Sequence, residues 1–340
     1  YSTTKINLIR FKLRLCTRKI CFEILNSADE NSKYEKIIHK HKKFFDLDSR
    51  DKAFVKVLML SFFRWNNSIE KIIQKYTKKK SEKKVLNILK ISTTQILFMR
   101  TTDYSAVNTG VNLSKKFGSR TSSFVNAILR QICRDKQKLL GNLKIEENVP
   151  DWIFNNWKEN FSFNTAVKFA HQSLKEPLLD IKIKKEFFKK KNWSKLFKGK
   201  PLFGEIIRKS NSGMIEDLPF FSSGYWWIQS AASTIPVTII ENYFKKFKPR
   251  ILEIGSAPGG KTLQLCENNF DVTAVEVSQK RILTLKQNLS RAKFNVNLIN
   301  EDFNKWKSKQ KFDCVLIDAP CSGSGVINKQ PDILYFKRNL

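Results

Sequence analysis

Histidine is nearly missing from this 340-residue sequence, with three copies, and the six cysteines (Cys16, Cys21, Cys133, Cys266, Cys314 and Cys321) never fall in a paired C-x-x-C spacing. That scarcity argues against a zinc site or a disulfide framework and makes a reducing compartment, the cytoplasm, the expectation. No run of about twenty apolar residues occurs, so neither a membrane span nor a membrane partner is expected. Acidic residues are few: 31 Asp plus Glu stand against 63 Lys plus Arg, a formal charge of +32. An excess of that size favours a polyanion through counterion release, although a chain rich in Lys, Asn, Ile and Phe can also acquire it through biased base composition. An initiating Met and a signal-peptide pattern are missing too, and the final "ILYFKRNL" stops in what reads as the start of a helix, so a C-terminally truncated fragment is expected.

What is present divides into three parts. Residues 1–140 alternate apolar residues at three- and four-residue spacing, as in "FVKVLMLSFFRW", "VLNILKISTTQILFM" and "SSFVNAILRQIC", which predicts an all-helical domain. Lys-rich "YTKKKSEKK" interrupts it as a solvated loop. Beyond Gly141 and Pro150, residues 145–245 predict a small mixed domain, with strands at "PLLDIKIKKEFF" and "FGEIIRK" and helices at "VPDWIFNNWKENF" and "NTAVKFAHQSL". Residues 182–200 carry nine lysines and one glutamate among Phe187, Phe188, Trp193 and Phe197. Cations beside rings suit single-stranded RNA, while a solvated face with its apolar residues turned inward explains the pattern equally well. From 246 to 340 short apolar strands alternate with helical patterns ("RILEIG", "KTLQLCEN", "DVTAVEV", "FDCVLID"), which predicts a parallel doubly wound sheet whose ligand lies beyond the carboxyl ends of the strands.

At the first of those ends stands "LEIGSAPGGKT", residues 252–262. Gly255, Gly260, Lys261 and Thr262 satisfy the phosphate-loop pattern G-x-x-x-x-G-K-[ST], and the Asp ending "CVLID" resembles a magnesium-assisting strand end, so a nucleotide hydrolase stays open. A glycine turn holding S-adenosylmethionine is the other reading. Glu276, sixteen residues after Gly260, lies where an acid would bond ribose hydroxyls, which serves an adenosine and does nothing for a triphosphate. Asp302 ends the third strand, and "DAPCSGSGV" delivers Asp318 and Cys321 together at the fourth. Cys266 and Cys314 read as core thiols.

Taken in order, "GSAPGGKT", "AVEVSQKRI", "NED" and "IDAPCSGSGVINKQPDI" resemble the successive motifs of the RNA (cytosine-5) methyltransferases of the RsmB/NOP family. "SRDKAFVKVLMLSFFRW", "LFMRTTDYSAVNTGVNLSKKF" and "SFVNAILR" are similar to the NusB-like helical domain of its bacterial ribosomal branch (Sun/Fmu), and "EPLLDIKIK" and "YWWIQSAASTIPV" to its middle segment. The resemblance implies a multidomain chain: an all-α NusB-like RNA-binding domain, a small α/β domain, and an incomplete Rossmann-like class I methyltransferase domain. It implies transfer of a methyl group from S-adenosylmethionine to carbon 5 of a cytosine in small-subunit ribosomal RNA, single-stranded or in a stem-loop, by a monomer.

By the same resemblance Gly255, Ser256, Ala257, Pro258, Gly259, Gly260, Lys261 and Glu276 hold the cofactor, with Asp302 near the adenine and Asp318 between cofactor and base. Lys261 contacts the base or the RNA backbone. Cys321 matches the family's second cysteine, which assists proton loss and enzyme release. The attacking cysteine belongs to a threonine-cysteine motif expected beyond residue 340, so the segment is expected not to methylate by itself. A noncatalytic RNA-binding module is the remaining alternative. Ser230 and Gln330 depart from the family pattern, where an acid and a histidine are usual.

Overall fold

The computed structural model describes residues 17–28, 34, 37–38, 41–77, 81–210, 213–319, 321 and 323–335. They fall into two compact units, one of residues 1–176 with 323–340 and one of residues 177–322. Expectations for residues 1–16 and 336–340 lie outside the described residues.

The first unit is helical. α1 (17–27), α2 (Ser49–Tyr76), α3 (Lys83–Phe98), α4 (Asp103–Ser114) and α5 (Ser119–Arg134) surround one core that includes Phe62, Phe63, Ile69, Ile88, Ile96, Val125 and Leu129. α2 starts where it does because the Asp48 carboxylate accepts the Asp51 amide at 2.7 Å, an N-cap. α3 is buried on nearly all sides, including its polar "STTQ", of which two members are satisfied: Thr94 Oγ1 donates to the Lys90 carbonyl (2.7 Å), Gln95 Nε2 donates to Ile91 (3.2 Å), and Gln95 Oε1 accepts from Arg18 Nε (2.8 Å), while the buried Thr93 hydroxyl has no partner among the described residues. Gly110 permits the close approach of α4, since a Cβ there would sit 2.4 Å from Ser92 Oγ. α6 (Asp151–Asn160) and α7 (Phe163–Ser173) pack with Ile327, Ile333 and Leu334 in a second cluster. No described helix is long and apolar enough to cross a membrane.

The second unit joins two sheets. β1 (Leu179–Ile183), β2 (Lys200–Pro201), β3 (Ile206–Lys209) and β4 (Trp226–Ile228) form an antiparallel sheet in the order β2-β3-β1-β4, with Ile181 opposite both Ile207 and Ile228. The pattern over "PLLDIKIKKEFF" predicts strand throughout, but the strand stops at Ile183 and Lys185–Phe188 turn into a short helix. Trp193 and Phe197 are buried among Ile181, Ile183, Ile207 and Trp226, so those rings are not offered for stacking on bases. The lysines around them, including Lys189, Lys190 and Lys191, are exposed. Here the solvated-face reading describes the stretch.

α8 (Ala231–Tyr243) then leads into β5 (Arg250–Ile254), α9 (Gly260–Glu267), β6 (Asp271–Val275), α10 (Gln279–Ala292), β7 (Asn297–Ile299) and β8 (Cys314–Ile317). The four strands are parallel in the order β7-β6-β5-β8. Their direction of winding reverses between β5 and β8, the switch point at which open parallel sheets bind ligands. Ser230 shows why an acid is dispensable there: its hydroxyl caps α8 by accepting the Ser233 amide at 3.2 Å. α10 also holds the antiparallel sheet, because Arg291 Nη1 donates to the carbonyls of Phe221 and Trp226, both at 2.9 Å. Gly224 lies so close to this helix that a Cβ would fall 1.8 Å from the Arg291 carbonyl oxygen.

Candidate active site

β5 runs into the glycine turn through Gly255, whose φ of +79° suits glycine, and the turn ends at Gly259, φ +110°, where α9 begins. A Cβ on Gly255 would meet the Asp318 carbonyl oxygen at 2.5 Å, so the ends of β5 and β8 touch at the switch point. The turn's amides are spent on the neighbouring strand. Those of Gly255 and Ser256 donate to the Val275 carbonyl (2.9 and 3.3 Å), and that of Ala257 to Glu276 Oε2 (3.3 Å). Pro258, in a cis peptide, has no amide to give.

Glu276 is buried at the end of β6. Besides the Ala257 amide its Oε2 meets Arg281 Nη1 at 3.2 Å, while Oε1 accepts only the Ser278 amide at 2.9 Å. α10 closes the turn from outside: Arg281 donates to the Ala257 carbonyl, and Asn288 Nδ2 to that of Pro258 at 2.8 Å. A Cβ on Gly259 would reach Leu285 Cδ1 at 2.6 Å. Positions 281, 285 and 288 share one helical face, an i, i+4, i+7 stripe. None of the three was singled out from sequence, although that spacing after an acidic strand end is a signal that was there to be read.

From within, Gln229 supports α9: it accepts from Trp227 Nε1 (2.8 Å) and donates to Gln264 Oε1 (2.7 Å), and Gln264 donates to the Thr234 carbonyl (3.2 Å). Gly260 faces Gln229 at 3.4 Å from a notional Cβ to Cγ.

Lys261 sits in the first turn of α9, where the helix dipole opposes a cation. Asp318, just past the end of β8, offsets this: Lys261 Nζ lies 2.6 Å from Asp318 Oδ2, with the lysine largely covered and the carboxylate half-exposed. Glu253, in β5 behind them, is 1 % exposed and its Oε2 has no partner. Burial pushes its carboxyl up to about 8, against the lowering effects of the Thr262 hydroxyl and of Lys261. A raised acid is protonated in the folded chain while the unfolded chain ionises, so stability is lost as pH rises from about 4.5 towards 8. Denaturant titration of Glu253→Gln against the parent should therefore show the variant gaining on the order of a few kcal/mol between pH 5 and pH 8. An unchanged difference across that range would rule out the buried neutral acid.

The other expected residues are less gathered. Asp302 Oδ1 accepts the amide and side-chain nitrogen of Asn304 (3.0 and 3.1 Å), capping its own turn. Cys321 is exposed, and its neighbours 320 and 322 lie outside the described residues. Cys266 is buried in α9, where burial raises its thiol to about 12, and Cys314 is partly buried with its thiol raised for the same reason. Both behave as core thiols.

The fold places a glycine turn and a Lys–Asp pair together at the switch point of a doubly wound parallel sheet. Residues 13–134 match the NusB family model, and residues 245–339 match the model described as 16S rRNA methyltransferase RsmB/F. One chain thus carries a segment similar to the NusB family and a segment similar to the RsmB/F 16S rRNA methyltransferases. The "Probable ribosomal RNA small subunit methyltransferase B" of Bacillus subtilis (strain 168) is 23% identical over 350 residues, covering 94% of this chain and 77% of the relative. The "Ribosomal RNA small subunit methyltransferase B" of Cronobacter sakazakii is 25% identical over 314 residues, covering 86% and 72%. The crystal structure of PH0851 shares the fold, with a TM-score of 0.63 at 18% identity over 96% of this chain and 78% of that one.

Proposed function

We propose that the chain serves the methylation of carbon 5 of a cytosine in small-subunit ribosomal RNA, with S-adenosylmethionine as donor. The observation that carries the donor over a nucleoside triphosphate is the fate of the turn's amides. A phosphate cradle needs a row of free N–H groups running through the loop, and positions 255–258 offer none, so an anion would have the amides at the start of α9 without those that precede them. Glu276 Oε1 keeps capacity for a ribose hydroxyl, and the unpartnered Glu253 Oε2 lies one layer below the turn. The bound donor supplies a methyl group on a sulfonium. Gly255 to Lys261 and Glu276 hold it, and Asp302 serves the adenine.

The Lys261–Asp318 pair stands where the base would be presented. Lys261 orients the Asp318 carboxyl group, which in this reading accepts the N–H of the ring nitrogen that gains a proton as carbon 6 is attacked. Cys321, exposed beyond β8, assists loss of the carbon 5 proton and release. The same reading makes the protein a cytoplasmic monomer acting on a single-stranded or stem-loop cytosine, with domains over 1–140, 145–245 and 246–340.

Isothermal titration with S-adenosylhomocysteine and, separately, with ATP plus magnesium tests the donor. Heat is expected from the first alone, and the reverse pattern would restore the hydrolase. Tritium release from RNA labelled at carbon 5 of cytosine tests the position, and methyl incorporation without that release would place the methyl group elsewhere.

A further inference from the structure

We infer that the opposite end of the parallel sheet carries a second RNA-holding surface, a shallow trough that grips a single-stranded segment away from the reacting base. The inference rests on the RNA reading above. Three adjoining depressions form the trough. The first lies between the end of α8 and the α9–β6 turn, the second follows Arg250 and Asp271, and the third lies along the end of α10. Lys248 and Phe270 line both the first and the second, and Asn295 and Val296 both the second and the third, so the three are continuous. Arg250, Asp271 and Asn297 are the first residues of β5, β6 and β7, so the trough crosses their amino ends. The glycine turn lies at their carboxyl ends, a strand length of roughly 15–20 Å away.

Its lysines carry the uncompensated charge, while Arg250 Nε lies 3.9 Å from Asp313 Oδ2 and Asp271 adds a lining carboxylate. Among the described residues no carboxylate lies within ion-pairing distance of Lys245, Lys246, Lys248, Lys286 or Lys293, and the lining carboxylate of Glu241 is already held by Lys185 at 2.5 Å. One lining aromatic faces water: Phe247 is 55% exposed, and Tyr243, outside the lining, is 81% exposed. Both pack edge-to-face on Phe244, with centroids 4.8 and 5.1 Å apart, and Phe244 in turn packs against the sheet's core. Cations beside an anchored, open ring suit unpaired nucleotides, and the side-chain amides of Asn269 and Asn295 can meet base edges. Residues 182–200 have the same composition but turn Trp193 and Phe197 inward, which leaves them charge without stacking.

Fluorescence anisotropy with the full chain and a single-stranded RNA of about thirty nucleotides provides the test. Phe247→Ala, a neutral change at an exposed position, should weaken binding about tenfold, the loss of one stacked base. Lys245→Ala with Lys248→Ala should lower the slope of log affinity against log salt by about 1.4. Affinity for S-adenosylhomocysteine should stay unchanged in both, as should folding by circular dichroism. Alanine at Lys189 and Lys190 should change the salt slope without matching the Phe247 effect. Parent-like RNA binding by Phe247→Ala would overturn the trough while leaving the RNA reading intact. So would a loss confined to binding of polyglutamate, which would mark a protein interface. A parent chain that binds no RNA at all would defeat both.

Discussion

Measured in a chain that carries the attacking cysteine, Lys261→Met is expected to slow methyl transfer by about 10²–10³-fold while leaving affinity for S-adenosylhomocysteine within about threefold. The expectation follows from where the ammonium is directed. Its one close partner is Asp318 Oδ2 at 2.6 Å, and the turn it adjoins is already held by Val275, Glu276, Arg281 and Asn288 without it. Removing the cation leaves the turn's bonds in place but leaves Asp318 without its counterion. A methylene-bearing Met keeps the packing of the stem. Single-turnover rates and titration calorimetry measure the two quantities separately. Equal losses in both would show that Lys261 serves the donor and not the reacting base. Asp318→Asn should reproduce the rate effect, and combining the two changes should cost little more than either alone, as expected for groups acting as one unit.

Gly255→Ala is expected to abolish measurable donor binding and to destabilise the second unit by about 2–3 kcal/mol. Two costs coincide. The backbone at φ +79° disfavours any side chain, and the added Cβ would lie 2.5 Å from the Asp318 carbonyl oxygen, which is backbone and cannot swing aside. Relief comes only by parting β5 from β8, and that opens the crevice in which the Lys261–Asp318 pair sits. Calorimetric titration and urea unfolding check the two halves, and a variant that binds donor normally would show that the strands part without disturbing the turn.

The strands of the parallel sheet could be read in the sequence because each is a short apolar run closed by an acid or a glycine, and the interior forces that pattern. "DVTAVEV" is readable because both of its faces are covered, whereas "FDCVLID" keeps its apolar run although Val315 and Ile317 are exposed. The glycine turn was equally readable, since only glycine tolerates its backbone at 255 and 259. What composition left undecided was direction: whether the rings of 182–200 faced water or core depends on how Ile181, Ile207 and Trp226, which lie outside the stretch, come together in the sheet. The supports of the turn were hidden for the same reason. Gln229 meets Gln264, and Arg281 meets Ala257, across separations that no local period encodes. Glu253 was visible as a strand-end acid, but its missing partner emerges only once Thr262 and Lys261 are folded over it.

α10 spans about 21 Å and is fastened at both ends, to the glycine turn through Arg281 and to the antiparallel sheet through Arg291. A piece excised to begin at residue 246 would keep every residue of the turn yet strip Arg291 of both its acceptors, Gln264 of Gln229, and the core of Trp227. The smallest portion that should preserve the turn's shape in isolation therefore starts ahead of Leu179, and a truncation series crossing that point should lose its thermal transition there.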